Sequence, residues 1–183
     1  MAIRILPPED FLEARVTLPL SKSMSARALV ISALTEGAPL PSPVSRCDDT
    51  DALVKALSDP TATDISVGAA GTTMRFLTAY YAARPGHHPV RLDGSERMRQ
   101  RPIGTLVEAL RTLGADIEYE GEEGFPPLLI RGKALEGGTL DIDASVSSQY
   151  ISALLMIAPL MARGLRLNPV SYTHLRAHET SQD

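Results

Sequence analysis

Four clusters in this chain carry the residue types and spacing to do chemistry on an anion. The first is Ser21-Lys22-Ser23-Met24-Ser25-Ala26-Arg27, which brings hydroxyls and two cations to the start of an apolar run. The second is Gly71-Thr72-Thr73-Met74-Arg75, reached through Gly68-Ala69-Ala70. The third, Arg97-Met98-Arg99-Gln100-Arg101-Pro102, sets arginines at alternate positions, and the fourth is Ser145-Val146-Ser147-Ser148-Gln149. Ammonium and guanidinium groups donate only, and hydroxyls and glycine amides readily join them, so the ligand they suit is negatively charged. A phosphate fits best at a helix start, where unpaired amides and the positive end of the dipole face it.

These clusters need elements to hold them. Residues 16–20 alternate as a strand and lead into a buried helix over 28–34, closed by Gly37. Repeated proline excludes helix from 38–44, and Asp and Thr in the stretch 48–51 then cap a second helix over 52–57. A strand over 65–67 passes through a glycine turn into a helix over 74–81. Beyond it the pattern predicts a strand at 88–92, a helix at 103–113 ended by Gly114, and strands at 116–119 and 128–131 around the acidic turn 118–123. A strand at 140–143 and a helix at 150–157 follow. Strand, helix, strand, helix, strand, strand is thus used about twice and begun a third time, a repeated βαβαββ unit of the α/β class. The span 58–64 is too short for all the strands of the first unit. If the units pack around a common axis, three helix starts converge on one anionic pocket.

The arginine cluster has a bland reading as a solvated turn, sufficient for a single arginine. Here Pro102 can occupy the first helical turn and so put Arg101 at or beside the N-cap, where a cation opposes the dipole unless an anion is bound. Arg75 reads equally as an internal ion-pair partner or as a ligand group. Cys47 is a small core or surface residue, and His87-His88 a solvated turn.

Composition narrows the class. With 183 residues, 44% hydrophobic and 22% charged, the chain suits one good-sized globular domain. A net charge of -4 and a pI near 5.6 argue against nucleic-acid or membrane-surface partners. The single cysteine fits a reducing compartment. There is no signal-peptide pattern, and the longest apolar run, 151–162, is too short to span a bilayer. A cytoplasmic location is therefore expected.

Together, Ser21-Lys22-Ser23 with Arg27, Ala70-Gly71-Thr72 with Met74-Arg75, Arg101-Pro102-Ile103-Gly104 and Ser145-Val146-Ser147-Ser148-Gln149 resemble the N-terminal half of the 5-enolpyruvylshikimate-3-phosphate synthases, the shikimate-pathway branch of the enolpyruvyl transferase family. The resemblance runs from about Arg15 to Asn168. It implies an inside-out α/β barrel, here incomplete and with its third repeat truncated. It also implies transfer of the enolpyruvyl group of phosphoenolpyruvate to the 5-hydroxyl of shikimate 3-phosphate, with release of phosphate, by an intact enzyme that is monomeric and needs no cofactor or metal. By the same resemblance Lys22 contacts both substrates. Ser23, Arg27, Ser147, Ser148 and Gln149 bind shikimate 3-phosphate. Gly71, Arg101 and Gln149 line the phosphoenolpyruvate site, with Thr72 and Arg75 as further candidates.

Several features depart from the family. Ala69 stands where many members have asparagine, and Phe76 where many have proline, which bears on the shape of the phosphoenolpyruvate pocket. Members are longer, and their second domain supplies the acid–base carboxylates, so this chain alone is expected to be inactive. Residues 1–14 would belong to that second domain, and 15–169 form a partial substrate-binding domain. From Val170 the sequence matches what a sequencing adapter encodes when translated, so 170–183 are expected to be read-through; this sets aside His174 and His178 as a metal pair. Two alternatives stay open: the UDP-N-acetylglucosamine enolpyruvyl transferase of the same fold, which has asparagine where this chain has Ser23, and a non-catalytic phosphate-binding fragment.

Overall fold

The computed structural model describes residues 13, 15–143 and 147–170. The expectations for 1–12, 14 and 171–183, and for Ser145 and Val146, lie outside the described residues. In chain order the elements are α1 (Lys22–Leu34), α2 (Asp48–Ser58), β1 (Asp64–Ser66), α3 (Gly71–Ala82), β2 (Val90–Asp93), α4 (Glu96–Arg99), α5 (Gly104–Thr112), β3 (Asp116–Tyr119), β4 (Leu128–Arg131), β5 (Gly138–Asp143), α6 (Ser148–Ile157), a 3-10 turn (Ala158–Leu160) and β6 (Leu165–Val170).

α3 is the hub. Nearly every residue from Gly71 to Ala82 is buried, Thr72 excepted. A helix with no solvent face belongs inside a core, and α3 packs against α1, α2, α5, α6, β2 and β4. Thr78 is satisfied within the helix, its hydroxyl donating to the Met74 carbonyl at 2.8 Å. Leu29 and Val30 of α1, Leu53 of α2, Met74, Phe76 and Leu77 of α3, Leu106 and Leu110 of α5 and Leu154 of α6 are fully buried around it. Burying each such side chain contributes about 1.5–3 kcal/mol relative to leaving it in water.

The main sheet has the order β1-β2-β4-β3. β1 runs parallel to β2, with Ile65 opposite Leu92. β4 is antiparallel to β2 and to β3, with Ile130 opposite Val90 on one side and Ile117 on the other. Parallel strands need a crossover and antiparallel ones can be joined by a hairpin, which is how α3 comes to lie between β1 and β2 while β3 and β4 are contiguous. A second, two-stranded sheet pairs β5 in parallel with β6, Leu140 opposite Leu167, and α6 lies between them in the chain.

Among the described residues one βαβαββ unit is complete, β1-α3-β2-α5-β3-β4 with the single turn α4 ahead of α5, where the sequence pattern suggested about two. α1 and α2 precede it, and among the described residues no strand lies between them or between α2 and β1, where the short 58–64 span suggested that strands are missing; β5-α6-β6 follows it. Residues 15–20 are not a strand. Val16, Leu18 and Leu20 are 73%, 80% and 50% exposed; an apolar alternation without a partner strand or a covering layer has nothing to hold it in a ladder. α1 instead begins at Lys22, because the Ser21 side chain accepts from the Met24 amide and caps it. α2 also starts earlier than expected, at Asp48, with Cys47 and Thr50 forming its capping box. Among the described residues no helix is long and apolar enough to cross a membrane.

Candidate active site

The starts of α1, α3 and α6 meet at one end of the helix layer, and Asp49, from the first turn of α2, joins two of them. Lys22 Nζ donates to Asp49 Oδ2 at 2.9 Å, and the Thr72 amide donates to Asp49 Oδ1 at 3.3 Å. The Thr73 hydroxyl reaches the Asp49 backbone carbonyl at 2.6 Å. α3 has Ala70 at its N-cap and so no side-chain cap of its own; the Asp49 carboxylate takes that place, with its charge on the favourable end of the dipole. The hydrogen bond to Asp49 raises the Lys22 pKa above the usual lysine value, against the opposing effect of partial burial.

α6 is tied to the same point. Ser147 is its N-cap and accepts from the Gln149 amide at 3.2 Å. The Gln149 side chain donates to Thr72 Oγ1 at 3.1 Å, while Ser148 is exposed in the first turn. Arg27 stitches the three helices together from one turn below. Its guanidinium donates to Ser23 Oγ at 2.8 Å within α1 and to Ser152 Oγ at 3.0 Å on α6, and lies 5.9 Å from the Phe76 ring centre on α3. Lys22, Ser23, Arg27, Thr72, Ser147, Ser148 and Gln149 are thus brought to one region by the elements that carry them.

Arg101 approaches from the other side. Its guanidinium lies against Gly71, so that a Cβ added there would stand 2.7 Å from Arg101 Cζ. The fork of a cation therefore sits at the start of a helix, as the sequence pattern suggested, but the helix is α3. Ile103 is the N-cap of α5 and Pro102 precedes it, so Arg101 is two residues ahead of that cap. The reason is α4: Ser95 caps a single turn over Glu96–Arg99, and the chain then restarts at Ile103, whose amide donates to the Gly124 carbonyl at 2.8 Å.

The three arginines of the cluster have separate surroundings. Arg99 forks onto Asp93 at 3.0 and 2.6 Å. Asp93 also accepts from Arg91 at 3.0 Å and from the Gly94 amide at 2.7 Å. Burial opposes the charge on Asp93, but these donors outweigh it and hold the carboxyl below the ordinary carboxylate range. Arg97 and Arg101 line a cleft of about 460 Å³ together with Ala69 and Met98. That cleft, walled by two cations next to the Gly71 helix start, suits a small anion.

Among the described residues Arg75 is not the internal ion-pair partner that its sequence context allowed. It is 7% exposed and makes no ion pair among the described residues. It donates to the carbonyls of Gly71 at 2.8 Å and Pro102 at 3.4 Å and lies 5.4 Å from the Tyr150 ring centre. Sequence reasoning also missed Asp49, read only as part of a helix cap, and Tyr150, read only as the first residue of an apolar helix. Asp49 carried a usable signal, since an acidic helix start among so many donors is a natural partner for one of them. Among the described residues no group of three or more metal-ligating side chains comes together.

The sequence matches the family described as EPSP synthase (3-phosphoshikimate 1-carboxyvinyltransferase) over residues 55–176, a span that extends past Pro169, where the resemblance was expected to end. A 3-phosphoshikimate 1-carboxyvinyltransferase of Bacteroides fragilis is 54% identical over 163 residues, covering 89% of this chain and 39% of the relative. That of a Sulfurovum species is 41% identical over 184 residues, covering 87% of this chain and 42% of the relative. The solved structure of an EPSP synthase from Acinetobacter baumannii superposes with a TM-score of 0.69 at 25% identity, over 80% of this chain and 38% of that one. The chain thus spans about 39% of the length of the first of these relatives. With two thirds of its length inside the family match and its helix starts gathered around one anion-seeking point, the chain belongs to the EPSP synthase (3-phosphoshikimate 1-carboxyvinyltransferase) family.

Proposed function

We propose that this chain carries the substrate-binding groups for transfer of the enolpyruvyl group of phosphoenolpyruvate to the 5-hydroxyl of shikimate 3-phosphate, with release of phosphate. The observation that carries this reading is the convergence of α1, α3 and α6 on one point, with Arg101 facing it across Gly71. Ser23 and Arg27, together with Ser147, Ser148 and Gln149, take shikimate 3-phosphate, whose phosphate suits the hydroxyls and amides of the α6 start. Gly71, Arg101 and Gln149 take phosphoenolpyruvate, with Thr72 beside them, and Lys22 stands between the two substrates. Two polyanions brought together repel each other, and fixed donors that hold both within reacting distance offset that cost. Arg75, a further candidate for phosphoenolpyruvate, sits beneath this arrangement on the Gly71 and Pro102 carbonyls. The whole enzyme would work as a monomer without a cofactor, and residues 15–169 would form part of its substrate-binding domain.

In this chain the carboxylate nearest the site, Asp49, is already held by Lys22 and the Thr72 amide, so it is badly placed to move a proton. Purified chain titrated calorimetrically with shikimate 3-phosphate and then assayed for phosphate release with phosphoenolpyruvate tests the reading. Binding of shikimate 3-phosphate without turnover is expected; failure to bind it at millimolar concentration would sink the reading. Turnover would overturn the claim that the acid–base groups lie outside this chain.

A further inference from the structure

Tyr150 has no role in the reading given so far, yet it is 3% exposed and follows directly on Gln149. Its phenol is not spent on its own helix. The Tyr150 hydroxyl donates to the Pro102 carbonyl at 2.9 Å, across from α6 to the turn before α5. The same carbonyl accepts from Arg75 Nη2 at 3.4 Å, and the Arg75 guanidinium is held between that carbonyl, the Gly71 carbonyl at 2.8 Å and the face of the Tyr150 ring at 5.4 Å. Arg75 Nε is buried with no hydrogen-bond partner. A buried guanidinium without a carboxylate is costly, so packing alone is a poor reason for one here. What Arg75 and Tyr150 share is the carbonyl of the residue that follows Arg101.

We infer that Tyr150 and Arg75 form a clamp on the Pro102 carbonyl that fixes where the Arg101 guanidinium stands over Gly71. Tyr150 is then a positioning residue for Arg101. The geometry supports this from both ends. Arg75 ties the clamp to the carbonyl of Gly71, the residue on which Arg101 rests, so the backbone under the guanidinium and the backbone behind it are referred to a single buried group. The chain on the far side of Pro102 is pinned as well, since the Ile103 and Gly104 amides both donate to the Gly124 carbonyl, at 2.8 and 3.1 Å. The Arg101 side chain is itself exposed, and a long exposed side chain on an unheld turn would lose its bound geometry to rotamer and backbone freedom. With the turn held, less of that freedom remains to be lost when an anion binds, and binding is correspondingly tighter. The clamp also places the readout of Arg101 on α6, the helix whose first turn carries Ser147, Ser148 and Gln149. It rests on the proposed function only in naming phosphoenolpyruvate as the anion that Arg101 meets.

Tyr150→Phe removes the hydroxyl and keeps the ring over Arg75. The full chain is compared with this variant by NMR of the arginine Nε–Hε groups, the Arg101 resonance being identified by its loss in Arg101→Lys. Without ligand, the variant is expected to shift and average the Arg101 resonance while the amide spectrum of the core stays as in the parent. On titration, phosphoenolpyruvate is expected to bind about fivefold more weakly, the equivalent of about 1 kcal/mol, and shikimate 3-phosphate less than twofold more weakly. An Arg101 resonance unchanged by Tyr150→Phe would overturn the inference, as would equal losses for the two ligands, which a merely structural role would produce. If the parent chain binds no phosphoenolpyruvate, the proposed function fails, and the ligand-free Arg101 resonance still decides the clamp.

Discussion

The Lys22 ammonium lies 2.9 Å from the Asp49 carboxylate, so that the chain supplies an anion of its own to the point where three helices start. The other oxygen of that carboxylate receives the Thr72 amide. One side chain therefore occupies the α1 cation and the α3 helix start at once.

Asp49→Asn should release the Lys22 ammonium from its ion pair for an incoming anion. Removing one negative charge from beside the site is expected to tighten inorganic phosphate binding about fivefold, the equivalent of about 1 kcal/mol. Asparagine still caps a helix, so the thermal midpoint should fall by no more than about 2 °C. The Lys22 pKa is raised by its hydrogen bond to Asp49, so this contact's contribution to stability is fully present below pH 10.5 and is lost only as pH rises beyond it. Lys22 is half exposed, so that contribution is small. Isothermal titration with phosphate at two salt concentrations checks the affinity, and weaker binding by the variant would count against an internal carboxylate competing for the site.

Gly71→Ala should separate binding from stability. The position is helical and has no positive φ, so the backbone accepts alanine and helix propensity favours it. The added Cβ, however, would overlap the Arg101 guanidinium. That guanidinium is the far end of a flexible side chain, so it moves and the fold stays. Phosphoenolpyruvate affinity is expected to drop about tenfold with a thermal midpoint unchanged within about 2 °C, measured by calorimetry and differential scanning fluorimetry. Unaltered affinity would mean that Arg101 does not face the ligand.

Asp93→Asn should expose an acid-sensitive part of the fold. Asp93 is depressed by the Arg99 fork, the Gly94 amide and Arg91 acting against burial, so its contribution is present above pH 3.8 and is lost as pH falls through its lower folded value. At pH 7 the variant is expected to be destabilised by about 2 kcal/mol. The gap between parent and variant should close as pH falls below 3.8 in denaturant titrations, because the parent's own carboxyl then becomes neutral. A gap independent of pH would show that shape rather than charge holds the Arg91–Asp93–Arg99 group.

Exposed apolar side chains on α1 and α6 predict self-association. Met24, Ile31 and Leu155 are 73%, 51% and 53% exposed, in addition to the apolar residues of 15–20. Apolar surface of that kind promotes association when it is contiguous. Sedimentation velocity at tens of micromolar should show species larger than a monomer, reduced by Ile31→Lys with Leu155→Lys. A sharp, reversible, monomeric transition of the parent chain would contradict this.

Where sequence periodicity was strong, the fold was legible in it. β3 and β4 fall where the alternating runs put them, and α3, α5 and α6 appear within a few residues of their expected bounds. What the pattern could not convey was pairing. The run 16–20 alternates as well as any strand here, yet it has no partner among the described residues and stays irregular. The clusters bearing the candidate site were legible because donor-rich turns before apolar helices leave few other readings. Their cross-links were not. That Asp49 reaches α3 from α2, that Arg101 rests on α3 rather than on its own helix, and that Arg75 reaches the Pro102 carbonyl all depend on contacts between residues 23 or more apart or on a turn of helix, α4, too short for any periodicity to announce.

The central claim is that the starts of α1, α3 and α6 form one site. The most direct test is to follow the backbone amides of Ser23, Thr72 and Ser148 by NMR while shikimate 3-phosphate is added to the full chain. All three should shift along one saturation curve with a single dissociation constant, with Gln149 and the arginine Nε–Hε group of Arg27 following the same curve. Shifts confined to one helix start, or curves with different midpoints, would contradict the account.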